Sequence, residues 1–201
     1  MKNQRQIKLT LICHWFCISP VVLGGPLILG GPRQLPTLPV WTRRACLSMN
    51  DALIMDIKSI IPALLEEYHN ADTLIIHVGA HDIYSGNSPS QIKSDMLDLC
   101  QLLDATNCQW ALSGPIPNRF LTNSSEKLGQ MLHLTEVMKG YATNKLPDPA
   151  SGCGGAYLHK GHFLDNTNSF WTRRGTLNRW GLPTRLGTRT LGATYHDYFQ
   201  D

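Results

Sequence analysis

The ten residues TLIIHVGAHD, 73–82, decide the fold. Thr73 to Val78 is a short, β-branched, apolar run that stops at Gly79. A continuous run of this kind is what a strand buried on both faces looks like, and parallel strands inside α/β proteins are buried in that way. The polar residues His81 and Asp82 follow at once, so the strand end carries chemistry-bearing side chains.

Helical patterns flank the strand. Upstream, Ile57, Ile60, Ile61, Leu64, Leu65 and Tyr68 recur at helical spacing across Asp56–Tyr68, with Pro62 implying a kink or a late start. Downstream, Ser88-Pro89-Ser90-Gln91 opens a helix. Ser88 is placed to cap it, Pro89 suits the first turn, and Gln91 completes a capping box. Ile92, Met96, Leu99 and Leu103 then share one face. The run Cys108–Ser113 (CQWALS) reads as the next strand, ended by Gly114-Pro115. A further helix starts at Asn123 or Ser124 and runs past Tyr141. His162–Asp165 reads as a short last strand, and Thr184–Phe199 as a terminal helix with Leu191 and Tyr195 inward. Strands alternating with helices predict a three-layer α/β/α sandwich around a mostly parallel sheet, of flavodoxin-like type, with right-handed crossovers.

The chain has 201 residues and is 42% hydrophobic, enough for one core. A net charge of +3 does not give the strongly basic surface typical of nucleic-acid binders. Six cysteines show no repeating spacing and are read as mostly free thiols. The N-terminus has three readings. Met1–Lys8 is basic and Leu9–Gly31 largely apolar, which is the layout of a signal peptide. His14, Pro20 and Pro26 interrupt the run and weigh against a membrane span. The reading preferred is a buried first strand at Pro20–Leu23, with 1–19 a leader-like or disordered segment and 20–201 a single domain. That reading places the chain in the cytoplasm, and the signal-peptide reading makes it secreted.

Three stretches carry a resemblance. IIPALLEEYHNADTLIIHVGAHDI (60–83) resembles the central block of SGNH/GDSL-type hydrolases, where a strand runs into a Gly-x-Asn-Asp turn. SGPIPNR (113–119) resembles the next strand-end loop. FLDNTNSFW (163–171) and GLPTRLGTRTL (181–191) resemble the final strand and the start of the last helix. The likeness covers roughly residues 20–200 and is nearest to esterase-like domains of fish genomes and non-LTR retrotransposon reading frames. It implies a serine in a Gly-Asp-Ser turn, a histidine base three residues after an aspartate, and an oxyanion site that includes the Asn of the Gly-x-Asn-Asp turn.

Set against that pattern, this chain departs at each catalytic position. The Gly-Asp-Ser position falls on Gly24-Gly25-Pro26, and Pro26 carries no nucleophile. The oxyanion glycine is absent from Ser48-Met49-Asn50-Asp51-Ala52. His81 stands at the Asn position and can still donate one hydrogen bond. Before the last helix, Trp180 stands at the Asp position, and a one-residue deletion removes the His from Trp180-Gly181-Leu182-Pro183. The expectation is an esterase-like domain without efficient hydrolysis. Gly79, His81, Asp82 and Ser113 remain as residual cleft residues. A site rebuilt from Ser113, His81 and Asp82 is the first alternative, and it gives an active ester hydrolase. A structural role for Asp82, capping backbone N–H groups of its own loop, is preferred over a catalytic one.

No cofactor is expected. Cys153, His159 and His162 match no tight zinc spacing, so no metal is expected either. His77 reads as a partly buried, hydrogen-bonded histidine. The partner implied is a small ester or acyl ligand. The alternative is a nucleic-acid-binding module using Arg173, Arg174, Arg179, Arg185 and Arg189. No membrane partner is expected.

Overall fold

In the computed structural model, the structure describes residues 7–14, 43–143, 161–173, 175–178 and 183–198. The elements run β1 (Ile7–His14), β2 (Arg43–Asn50), α1 (Ile54–Glu67), β3 (Ala71–His77), α2 (Ala80–Tyr84), α3 (Pro89–Asp104) and β4 (Gln109–Ser113). There follow α4 (Arg119–Thr122), α5 (Ser125–Thr143), β5 (Gly161–Leu164), α6 (Thr167–Thr172) and α7 (Arg185–Tyr198). The five strands form one sheet in the order β2-β1-β3-β4-β5, and every pairing within it is parallel. That is the flavodoxin-like order, so the strand order reverses between β1 and β3.

Side-chain alternation splits the core into two layers. Leu74, Ile76 and Val78 from the β3 run, with Trp110 and Leu112 of β4, join Ile57 and Ile61 of α1, Met96 and Leu99 of α3, and Met131 and Met138 of α5. The opposite parity, Ile75 and Ala111, packs with Phe170 of α6 and Leu191 and Tyr195 of α7. Helices therefore cover both faces, as the run TLIIHV predicts for a strand with no polar side.

The first strand is a correction. It is Ile7–His14, not Pro20–Leu23, and residues 20–23 lie outside the described residues. β1 sits inside the segment 1–19 that the sequence reading set apart. It pairs with β2 over eight positions and with β3 on its other side. The reason is physical: the apolar stretch of a leader and the continuous run of a central parallel strand have the same composition, and only tertiary pairing separates them. β2 was not anticipated either, because RRACLSMN mixes basic and apolar residues.

Smaller elements also differ. α1 starts at Ile54 and passes through Pro62, so the proline does not delay its start. Ser88 caps α3 as expected, its Oγ accepting from the Gln91 N–H at 3.2 Å. The Gln91 side chain does not complete the box; it donates to Asp95 Oδ1 at 2.7 Å, one turn on. The short helices α2, α4 and α6 escaped the sequence reading, since four to six residues are too few to show a period.

The β2–α1 turn holds Asp51 at φ 55°, the one non-glycine residue with positive φ among those described. Asp tolerates this left-handed conformation better than branched residues do. It lies within the stretch 48–52, near which the resemblance implies a glycine. Asp51→Gly is therefore expected to hold or raise stability by up to about 1 kcal/mol, and Asp51→Val to lower it by roughly 1–2 kcal/mol. Urea denaturation of the three proteins checks this; a Val variant as stable as the parent would contradict it.

Candidate functional site at the strand ends

Ligands of open parallel sheets bind beyond the carboxyl ends of the strands, at the reversal point. In this chain that point lies beyond His14 of β1 and beyond the Val78-Gly79 step that follows β3. The expected first loop, Gly24-Gly25-Pro26, loses its basis: it was placed after a strand ending at Leu23, whereas β1 ends nine residues earlier, at His14. Pro26 and Trp180 both lie outside the described residues.

The second loop is built around Gly79. Its φ is 103°, and a Cβ there would meet Leu134 Cδ2 of α5 at 2.5 Å, so both backbone and packing require glycine. This turn launches α2. Its solvent side carries half-buried His81 and exposed Tyr84, and its inner side carries Asp82 and Ile83. Lys127 of α5 sits over the Tyr84 ring, 4.4 Å from its centroid.

Asp82 is fully buried. Its Oδ1 accepts the Ile54 N–H at 3.2 Å, capping the start of α1. It therefore caps a helix 28 residues away in sequence, an addition to the local role expected for it. Its Oδ2 has no partner among the described residues. Burial pushes the carboxyl up to about 6, and the Ile54 N–H only partly offsets this.

The third loop begins at Ser113, and here the structure makes a buried knot. Ser113 Oγ lies 3.0 Å from His77 Nδ1, 2.9 Å from the Tyr195 hydroxyl and 2.7 Å from Asn166 Nδ2. The Asn166 amide also donates to the Gly114 carbonyl at 2.7 Å, which fixes its orientation. Relative exposure is 0% for Ser113, 2% for His77, and 1% each for Asn166 and Tyr195. A hydroxyl has one proton and two lone pairs, so three partners saturate it. His77 and Ser113 are register partners on β3 and β4, Asn166 follows β5, and Tyr195 is on α7.

This arrangement corrects two expectations. The constellation of Ser113 with His81 and Asp82 is not formed: Ser113 bonds His77, Tyr195 and Asn166, and Asp82 bonds Ile54. Nor does Ser113 serve mainly its own turn, since its bonds reach three other elements. His77 is deeper than the partly buried position expected. Asn166 and Tyr195 were missed as polar partners. The one signal for the knot is a polar residue, His77 and then Ser113, at the last position of each of two apolar strands.

Other candidates disperse. His162 is exposed on β5, while Cys153 and His159 lie outside the described residues. Among the described residues no group of three or more His, Cys, Asp or Glu is placed to hold a metal ion. Cys100 and Cys108 are buried thiols outside any disulfide, Cys108 Sγ donating to the Ala71 carbonyl at 3.2 Å, and burial pushes the Cys100 thiol up to about 12. Arg185 and Arg189 are exposed one turn apart on α7, and Arg173 is exposed after α6; Arg174 and Arg179 lie outside the described residues. No helix among the described residues is long and apolar enough to cross a membrane.

Neither the family models nor the curated proteins yield a match to this chain. Solved structures do. The lipase Lip_vut3 from a goat rumen metagenome aligns with a TM-score of 0.64 at 11% identity over 96% of each chain. The lipase/acylhydrolase from Enterococcus faecalis aligns with a TM-score of 0.60 at 14% identity, over 94% of this chain and 92% of that one. The acetyl xylan esterase AlAXEase reaches 0.61 at 14% identity, over 78% of this chain and 81% of that one. Likeness at such identities is likeness of fold. This chain has the SGNH/GDSL-type esterase fold.

Asp82 sets a pH dependence. Its folded value, about 6, lies above the unfolded value of about 3.9, so the folded state holds the proton more tightly. The resulting stabilisation is complete below pH ~4 and is lost as pH rises through ~6. At neutral pH the buried charge costs on the order of 2–3 kcal/mol. Asp82→Asn keeps an acceptor for Ile54 and removes the charge. Melting curves should show the variant more stable at pH 7, by up to that amount, with the gap closing near pH 4. A variant less stable at pH 7 than at pH 4, relative to the parent, would overturn the assignment.

Proposed function

We propose that this chain is an esterase-like domain that does not turn over esters efficiently. The observation that carries the reading is the approach to α7. The sequence there runs Trp180-Gly181-Leu182-Pro183, with no aspartate–histidine pair where the resemblance implies the orienting acid and the base. The frame around the gap is intact. Thr184 Oγ1 accepts the Gly187 N–H at 3.2 Å and starts the helix. Gly187 is pressed so closely against the Thr176 carbonyl that no side chain fits.

On the nucleophile side, the chain contains no Gly-Asp-Ser; the residues following β1 read Trp15-Phe16-Cys17-Ile18-Ser19, whose thiol and hydroxyl stand outside any such turn. The serine at the end of β4, Ser113, is closed to solvent and saturated. An attacking hydroxyl needs both access and a base free to take its proton. Ester hydrolysis is the reaction class of the lipase and esterase neighbours. For this chain the reading keeps their cleft, for a small acyl ligand, without their turnover.

Hydrolysis of short-chain p-nitrophenyl esters by the purified protein tests the reading, beside Ser113→Ala and His81→Ala. The expected result is no turnover above buffer for all three. Turnover by the parent would contradict the reading, and its loss in one variant would locate a rebuilt site.

A further inference from the structure

We propose that the surface made by the end of α6 and the start of α7 binds single-stranded nucleic acid, with Trp171 as a stacking platform and Arg173, Arg185 and Arg189 as phosphate-binding groups. The inference goes beyond the functional reading above and does not involve the strand-end crevice.

The charge is unevenly placed along the chain. Residues 166–195 hold five arginines and no Lys, Asp or Glu, which leaves 13 Lys and Arg against 15 Asp and Glu elsewhere. The whole positive excess of the chain therefore lies in this one stretch. Arg173, Arg185 and Arg189 are exposed, and none forms an ion pair among the described residues. Asp165, the acid just before the stretch, is turned onto the Thr167 N–H at 2.8 Å. α7 has no acid in its first turn, so the positive end of its dipole adds to the arginines.

The backbone brings these groups together. Phe170 of α6 meets Gly187 of α7, where a Cβ on the glycine would lie 3.2 Å from the Phe170 ring. Trp171 and Leu186 are the chain neighbours of that pair. They are also the most exposed large apolar side chains among the described residues, at 55% and 47%. Arg173 is tied to the same place. Thr176 Oγ1 donates to the Arg173 carbonyl at 2.8 Å, and the Thr176 carbonyl accepts the Thr184 N–H at 2.8 Å, one residue before Arg185. A bridge between Leu177 and Pro183 braces the turn. Arg189 follows Arg185 by one turn of α7, which sets their Cβ atoms about 5–6 Å apart. One indole and three guanidinium groups thus project from a fixed frame.

The chemistry of this face selects its occupant. A second copy of the chain would set arginines against arginines. A membrane surface needs a broad apolar face, and α7 turns its own, Leu191 and Tyr195, into the core. A nucleic-acid strand offers what the face lacks. Guanidinium groups pair with phosphate oxygens through two parallel hydrogen bonds, and an open indole stacks on any base. In a duplex the base faces are already stacked, so the match is to a single strand.

Fluorescence anisotropy of the full chain with labelled oligouridylate and oligothymidylate of about 12 nucleotides, and with a duplex of equal length, tests this. Both single strands should bind, with a log–log salt slope of about −2 for three phosphate contacts. Arg185→Gln and Arg189→Gln should each weaken binding several-fold and flatten the slope by about 0.7. Trp171→Ala should weaken the single strands by about fivefold or more and leave the duplex unchanged, and Trp171→Phe should recover most of that loss. The substituted positions are exposed, and melting curves that match the parent verify folding. Lys93→Gln combined with Lys139→Gln removes two charges from α3 and α5, the helices on the opposite side of the sheet, and should change binding little. Failure to bind single strands at low salt, an equal loss from the Lys93 and Lys139 pair, or no effect of Trp171→Ala would each overturn the proposal. Capture by phosphatidylserine vesicles without oligonucleotide binding would reject it in favour of a membrane contact. The ester assay above is read separately, so turnover there leaves this inference standing.

Discussion

The side chain of Ser113 accepts and donates three hydrogen bonds where no solvent reaches, and the far half of the fold hangs on it. Its partners come from β3, α7 and the residue after β5. A buried hydroxyl, imidazole, amide and phenol are each costly to leave unpaired, at roughly 1–3 kcal/mol apiece. Placed together they pair around the Ser113 hydroxyl, leaving Asn166 Oδ1 without a partner among the described residues, and the set forms only when the three strands and α7 are in register. The apolar layer of Ile75, Ala111, Phe170 and Leu191 brings α7 to the sheet without specifying its position along it. The knot supplies that position, because hydrogen bonds are directional and apolar contacts are not.

The other side of the sheet solves the same problem with different groups. Asp82 ties α2 to the first residue of α1, and Gly79 lets the chain turn under Leu134. Among the described strand-end groups, His77, Ser113 and Asp82 are thereby engaged in holding elements. The functional reading proposed above rests in part on that allocation. Chemistry on an ester needs a nucleophile, a base and an acid that face the crevice, and Ser113, His77 and Asp82 face inward.

Much of this was legible in the sequence where local physics decides the outcome. The apolar run at 73–78, the Ser88-Pro89 start of α3 and the terminal helix each carry a signal within ten residues, and each stands in the structure within a few residues of its expected place. β1 was not legible as a strand, because Ile7–His14 follows a basic leader-like stretch and its identity depends on pairing with β2 and β3. The error carried into the site. The resemblance sets Pro26 at the nucleophile position after a strand at Pro20–Leu23, whereas β1 is Ile7–His14. The partners of Ser113 were illegible for a related reason: Asn166 and Tyr195 are 53 and 82 residues away in sequence, and nothing short of the fold brings them to one oxygen. Asp82, by contrast, was readable as a structural acid from its place after the strand, although the helix it caps was not.

The most direct test of this account is whether Ser113 can be reached by an electrophile in the native state. Incubation of the folded chain with a serine-directed fluorophosphonate, followed by intact-mass analysis, reads this without any assumption about substrate. A hydroxyl sealed among His77, Asn166 and Tyr195 predicts an unmodified mass. A single stoichiometric adduct that maps to Ser113, and is absent from Ser113→Ala, would show that the knot opens to a working nucleophile and would contradict the account.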